Sequence, residues 1–403
     1  MKKSTIITII CFALGIVLLA GCFVLFTDNN ISNKLFGTTT TTTTTTSNQG
    51  ETPDPAPVYE PMNFSKEDVS KYITLGQYKG LEIEVDQIEV SESDLDLQIH
   101  IILCQKDLHT KVLKGKTTQK VIFNFDYTGY LLKEDGTRGE AFQGGSSEGK
   151  GQLAYIDGND LVTVSSSELG GFIDGFAQGM IGMSVGDTKT LNITFPENYH
   201  STDMAGKEVE FDVKINYIAQ TSFDDDAANY VSNGTYKTVK EYRDYLKKNG
   251  DANLKSYNEE LIVTKVLENV TVIEIPQQQF DYLYNAFVQE VEYYVYMYSM
   301  YGQTYTFDQV LAMFGFSGTA ELEQYARDLI KSDLLYYAII QAEGLEITDE
   351  EYSALIAELV ESLEKTEEEV IEQYGGEDAI KQNMLLDKAQ KLIIRENVLV
   401  EKK

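Results

Sequence analysis

The chain has 403 residues, 64 acidic against 33 basic side chains, a net charge of −31 and 42% hydrophobic residues. That length allows two or three domains with ample core, and that charge makes it a poor candidate for nucleic acid, whose recognition rests on cationic contacts to phosphate. Its three cysteines (Cys11, Cys22 and Cys104) and three histidines (His100, His109 and His200) show no ligand spacing, so no metal and no cofactor is expected.

Residues 1–27 form the first expected segment. Two lysines precede an uncharged run from Thr5 to Phe26, long enough to span a bilayer as a helix. Two readings stay open. One is an uncleaved signal anchor. The other is a lipoprotein signal, because Leu19-Ala20-Gly21-Cys22 resembles the bacterial lipobox, with Cys22 then the lipidated N-terminus. Either way the chain is expected at the cell membrane, anchored by its N-terminus, with its folded domains on the extracytoplasmic side. Residues 28–62, with nine consecutive threonines (Thr38–Thr46) and Pro53, Pro55, Pro57 and Pro61, cannot bury a core and read as a disordered tether.

The globular pattern begins at residues 63–115. Leu81, Ile83 and Val85 alternate with glutamates as a strand does, and Ser91 with Asp94 opens a helix whose apolar face is Leu95, Ile99, Ile102 and Leu103. Residues 116–220 carry further period-two runs: Val121, Phe123, Phe125 and Tyr127; Leu191, Ile193 and Phe195; Val209, Phe211, Val213, Ile215 and Tyr217. Between them lies a glycine-rich piece with Phe172, Phe176 and Met180 at helical spacing, which predicts one short helix ending at Gly182. Gly144, Gly149 and Lys150 have phosphate-loop spacing, but Gly151 stands where that loop needs a hydroxyl, so a glycine-rich surface loop is the better reading.

From residue 221 to 403 the pattern is helical nearly throughout. Thr238 with Glu241, Thr348 with Glu351 and Thr366 with Glu369 are helix-opening pairs, and a last helix is expected from about Asp378 to Val398. Residues 280–307 hold aromatics on nearly every helical face. Two readings stay open there: a helix packed between others, or an exposed aromatic and methionine surface that binds unfolded clients, built from Tyr293, Tyr294, Tyr296, Met297, Tyr298 and Tyr301.

These stretches resemble a known family. GFIDGFAQGMIGMSVGD, TFPENYH and EVEFDVKI resemble the FKBP-type prolyl isomerase domain in the version found in trigger factor, and FDYTGYLLKEDG and EAFQGG resemble its opening strand and next pocket element. EGLEITDEEY and YGGEDAIKQNMLLDKAQKLIIRENV resemble the trigger factor C-terminal chaperone domain, and the segment 63–115 resembles the linker strand and helix before the isomerase. The ribosome-binding domain has no counterpart in these motifs, so no ribosome binding is expected.

The resemblance implies an α+β chain: an FKBP-like antiparallel half-barrel sheet with a short helix over 116–220, and an all-α C-terminal chaperone domain over 221–403. It implies peptidyl-prolyl cis-trans isomerase activity and a cup lined by Tyr127, Phe142, Tyr155, Leu169, Phe172, Tyr199 and Phe211, with Phe172 as floor and Tyr199 at the rim. The implied partners are unfolded or nascent exported polypeptides with X-Pro bonds. Two departures stand out. Gln143 occupies the position where the family has a carboxylate, and the segment 158–168 is long and serine-rich. A holdase with a degenerate isomerase domain, or a surface binding protein reusing the fold, therefore remains as an alternative.

Overall fold

The computed structural model describes residues 59–402 except 134, 165–171, 198, 200 and 202. The expected anchor, nearly all of the tether, Cys22 and Leu169 lie outside the described residues. The chain divides into two compact units. One is Glu89–Lys255; the other joins the described residues up to Ile88 with those from Ser256 onward.

In chain order, β1 (Ile73–Thr74) and β2 (Glu82–Val85) precede α1 (Glu92–Gln105). Then come β3 (His109–Val112), β4 (Phe123–Leu132), β5 (Arg138–Ser146), β6 (Gln152–Asp157), β7 (Asp160–Thr163), α2 (Phe176–Met180), β8 (Thr188–Thr194) and β9 (Glu208–Thr221). Helices follow: α3 (Asp225–Val231), α4 (Val239–Glu268), and, after β10 (Thr271–Val272), α5 (Gln277–Met300), α6 (Phe307–Met313) and α7 (Thr319–Glu343). The chain closes with α8 (Asp349–Leu363), α9 (Glu367–Gln373), α10 (Glu377–Arg395) and β11 (Val398–Glu401).

In the unit Glu89–Lys255, the long β9 carries β4 along one side and β8 and β3 in succession along the other. β4 passes from β6 at its start to β5 at its end, β6 pairs with β7, and every pairing in this sheet is antiparallel. The period of two does what it must. Phe123, Phe125, Leu191, Val209, Phe211, Val213 and Ile215 all turn to the face that packs on Phe176, Ala177 and Met180 of α2. The buried Thr117 closes the far end of α2: its hydroxyl donates to Met180 O at 2.5 Å and its N–H to Met183 O at 2.9 Å. On the outer side, α1 buries Leu95, Ile99 and Leu103 with Ala228, Tyr242 and Leu246. Ser91 caps α1 by accepting from Asp94 N–H at 3.2 Å.

In the other unit, α7 supplies the spine of the core. Its Ala326, Ile330, Leu334 and Ile339 pack with Ile262 and Val266 of α4, Ile393 of α10, and Ile83 and Val85 of β2. Thr306–Gln309, Thr348–Glu351 and Thr366–Glu369 form reciprocal capping boxes that start α6, α8 and α9.

Three expectations are corrected. The region 221–403 is neither all-α nor one compact unit: β10 pairs with β1 and β11 pairs in parallel with β2, while residues 225–255 belong with the sheet. The segment 63–115 is likewise divided, since β1 and β2 complete the helical unit and α1 covers the sheet. The last helix stops at Arg395, and Val398 continues as strand, because an extended partner in β2 is there to take its backbone hydrogen bonds.

Candidate functional site

The inner face of the sheet ends in a group of aromatic rings. Tyr127 leaves β4 inward and lies edge-on to Phe172 at 5.2 Å and to Phe176 at 6.0 Å. Phe172 rests on Phe176 at 4.6 Å, and Phe176 meets Phe211 of β9 at 5.0 Å. Phe142 of β5 stands edge-on to Phe211 at 5.9 Å and to Phe195 at 6.0 Å, and Tyr199 follows at 4.6 Å from Phe195. These spacings lie in the range that favours tilted and edge-to-face pairs. Phe125, Phe176, Phe195 and Phe211 are buried, whereas Tyr127, Phe142, Phe172 and Tyr199 are half-buried. The half-buried rings lie over a layer of buried aromatic rings, as a cup requires.

Phe142 owes its place to two glycines. A Cβ on Gly129 would stand 2.6 Å from its ring, and one on Gly145 would stand 2.5 Å from it. Any larger residue at either position would displace the ring. Burial pushes the Tyr127 hydroxyl above the ordinary tyrosine range.

Of the expected cup residues, the structure brings Tyr127, Phe142, Phe172, Tyr199 and Phe211 into one cluster. Tyr155 is corrected. Its neighbours Ala154 and Ile156 face the cup side, so alternation along β6 sends Tyr155 to the opposite face, against Cys104, Ile122 and Val164. Burial there, then the nearby Asp157, raises its hydroxyl pKa. Leu169 lies outside the described residues. Sequence reasoning left Phe176 and Phe195 out of the cup. Phe176 sits one helical turn after Phe172, and Phe195 continues the alternation of Leu191 and Ile193, so both were legible as inward-facing residues. Gln143, beside Phe142, is exposed.

In the other unit, the expected aromatic surface is only partly a surface. Tyr298 packs with Tyr305 at 5.0 Å in a local core with Val291, Val310, Leu311 and Leu322. Tyr293 and Met297 are half-buried, and Tyr294 lies edge-on to Phe314 at 5.2 Å. The open part is Tyr294 at 36% exposure, Tyr296 at 59%, Tyr301 at 77% and two methionines outside the expected set, Met300 at 59% and Met313 at 55%. Tyr298 is therefore corrected from open surface to a half-buried ring, because residues of α6 and α7 pack against its face of α5.

Comparison with known proteins matches both regions. Residues 114–216 fit the model of the FKBP-type peptidyl-prolyl cis-trans isomerase, and residues 238–395 that of the bacterial trigger factor C-terminus. An FKBP-type domain followed by a trigger factor C-terminal domain is the architecture of a trigger-factor-like chaperone. The trigger factor of Bacillus subtilis is 30% identical over 342 residues, covering 81% of this chain and 73% of its own. That of Macrococcus caseolyticus is 28% identical over 346 residues, covering 83% and 74%. A solved trigger factor chaperone aligns at 16% identity with a TM-score of 0.29, too low to carry weight. The chain belongs to the trigger factor family.

That membership corrects the expected location at the outer face of a cell membrane. The relatives carry the name trigger factor, and among the described residues no helix is long and apolar enough to cross a membrane.

Proposed function

We propose that the chain is a folding factor that isomerises X-Pro bonds in unfolded polypeptides at the cup, assigned to the domain 116–220, and holds those polypeptides on its helical part. The observation that carries the reading is the joint placement of Tyr127, Phe142, Phe172 and Tyr199 as half-buried rings over buried Phe176 and Phe211. The X-Pro amide resists rotation by about 18–20 kcal/mol because of its partial double bond, and its uncatalysed isomerisation takes tens of seconds or more. The twisted amide is less charge-separated than the planar one. An aromatic cup that seats the proline ring and excludes water therefore favours the transition state over the ground state, with no covalent step. Tyr199, at the rim by family resemblance, would offer its hydroxyl to a substrate carbonyl.

The test is turnover of a prolyl tetrapeptide by the full chain, beside Phe172→Ala and Tyr199→Ala. The unmutated chain accelerates isomerisation, and Phe172→Ala lowers kcat/KM by about tenfold or more, roughly 1.4 kcal/mol of transition-state binding. No rate above background in the unmutated chain would end the isomerase reading. Gln143 in place of the family carboxylate favours a second reading, a holdase that seats proline without turning it over. Under that reading the same chain binds the peptide at the cup and suppresses aggregation while leaving the isomerisation rate at background.

A further inference from the structure

Asp126 and Tyr127 are consecutive on β4, so their side chains leave opposite faces of the sheet. Tyr127 enters the cup. Asp126 lies on the outer face, and its carboxylate is fully engaged. Oδ1 accepts from Ser147 Oγ at 2.7 Å and from Gly151 N–H at 3.0 Å, and Oδ2 accepts from Asn216 Nδ2 at 2.8 Å. Asn216 Nδ2 also donates to Asn124 Oδ1 at 2.9 Å. Desolvation acts to raise the Asp126 pKa, but the donors Asn216, Ser147 and Gly151 outweigh it and hold the group below the usual carboxylate range.

The acceptor grips a turn that borders the cup. Ser147 N–H donates to Tyr127 O at 3.0 Å, and Tyr127 N–H donates to Ser147 Oγ at 3.2 Å. One residue earlier, Ser146 Oγ accepts from Glu148 N–H at 3.0 Å and lies 3.3 Å from Thr128 Oγ1. The turn 146–151 is thus sewn to residues 126–128 of β4, and Gly145, against the Phe142 ring, is the residue just before it. Gly151 must be glycine to reach the carboxylate: its φ is +70, and a Cβ there would stand 2.4 Å from Asn124 Oδ1.

We propose that Asp126 is a positioning residue for the cup: from the outer face of the sheet, its carboxylate fixes the turn 146–151 and, through Ser147 and Gly145, the places of the Tyr127 and Phe142 rings. The proposal rests on the isomerase reading for its kinetic consequence only. The position of Phe142 can be read without turnover.

The test uses the full chain with labelled phenylalanine. Asp126→Ala removes the acceptor shared by Asn216, Ser147 and Gly151, and no rotation of a neighbouring amide replaces it. Asp126→Ala lowers kcat/KM about tenfold, chiefly in kcat, because a displaced ring disturbs the seated substrate more than its capture. The Phe142 ring resonances shift in that variant. Asp126→Asn keeps an oxygen for Ser147 and Gly151 and turns its Nδ2 to a rotated Asn216 amide, so both rate and resonances stay near the parent's. Unmoved Phe142 resonances in Asp126→Ala overturn the proposal, and so does an Asp126→Asn variant as impaired as Asp126→Ala. If Asp126→Ala does not fold, Ser147→Ala cuts the same relay with the carboxylate intact and is judged by the same resonances. If the unmutated chain shows no turnover, the isomerase reading fails and the resonances alone decide the positioning role.

Discussion

Adding one methyl group at Gly129 tests how tightly the cup is built. Gly129 lies inside β4, where replacing glycine by alanine ordinarily adds about 0.5–1 kcal/mol of stability through lost chain entropy. Here the new Cβ would stand 2.5 Å from Phe211 and 2.6 Å from Phe142, against roughly 3.5–4.0 Å for an ordinary carbon contact. Phe211 cannot yield, being buried and in ring contact with both Phe176 and Phe142. Phe142, half-buried, must move by about 1 Å, and Gly145 on its far side limits that movement. Overpacking of this kind costs about 1–3 kcal/mol. Gly129→Ala should therefore melt several degrees below the parent, at roughly 2–4 °C per kcal/mol for a unit of this size. Prolyl-peptide turnover should fall with it. Scanning calorimetry and the turnover assay on the same preparation give both numbers. A variant as stable as the parent, or more so, with unchanged turnover would show that Phe142 is not held in this slot.

Three further expectations follow from the other unit. Burial pushes the Asp333 carboxyl up to about 6 from an ordinary 3.8, so the folded state keeps a proton that the unfolded state releases between about pH 4 and 6. Asp333 therefore costs stability at neutral pH and not below about pH 4. Asp333→Asn should gain about 1–2 kcal/mol over the parent at pH 7 and nothing at pH 4 by denaturant titration, and an equal gain at both would refute the assignment. Changing Tyr296, Met300 and Tyr301 together to serine should leave stability within about 0.5 kcal/mol, because all three are exposed, yet weaken suppression of aggregation of an unfolded protein. Full suppression by that variant would move the holding surface elsewhere. Thr348→Ala removes the hydroxyl that accepts from Glu351 N–H at 3.2 Å, and should cost about 1 kcal/mol, seen as faster amide exchange in the first turn of α8.

Much of the sheet was legible because alternation is a local property. Phe123, Phe125, Leu191, Val209, Phe211 and Val213 face inward wherever the strand lies, and Thr238, Thr348 and Thr366 announce helix starts through neighbours three residues away. Motif order likewise assembled five of the expected cup residues. Alternation does not choose its own phase, however. Tyr155 and Ile156 read alike in sequence, and only the register of β6 on β4, with Phe123 opposite Ala154, sends Ile156 to the cup and Tyr155 away. The tyrosines of α5 cover several faces of one helix, and contact with α6 and α7 alone decides that Tyr298 is half-buried while Tyr296 and Tyr301 remain open.

The same division holds for the chain as a whole. By itself, the sequence determined the alternating strands of the 116–220 sheet, the helix caps and the family, because each rests on residues near one another in the chain or on motifs in fixed order. The tertiary structure decided what depends on distant partners. It made Val398–Glu401 a strand by supplying β2 beside it, it split the helical half between two units, and it gave Asp126 its role by bringing Ser147, Gly151 and Asn216 to one carboxylate. No local pattern encodes those pairings, since the groups that satisfy each hydrogen bond meet only when the chain has folded.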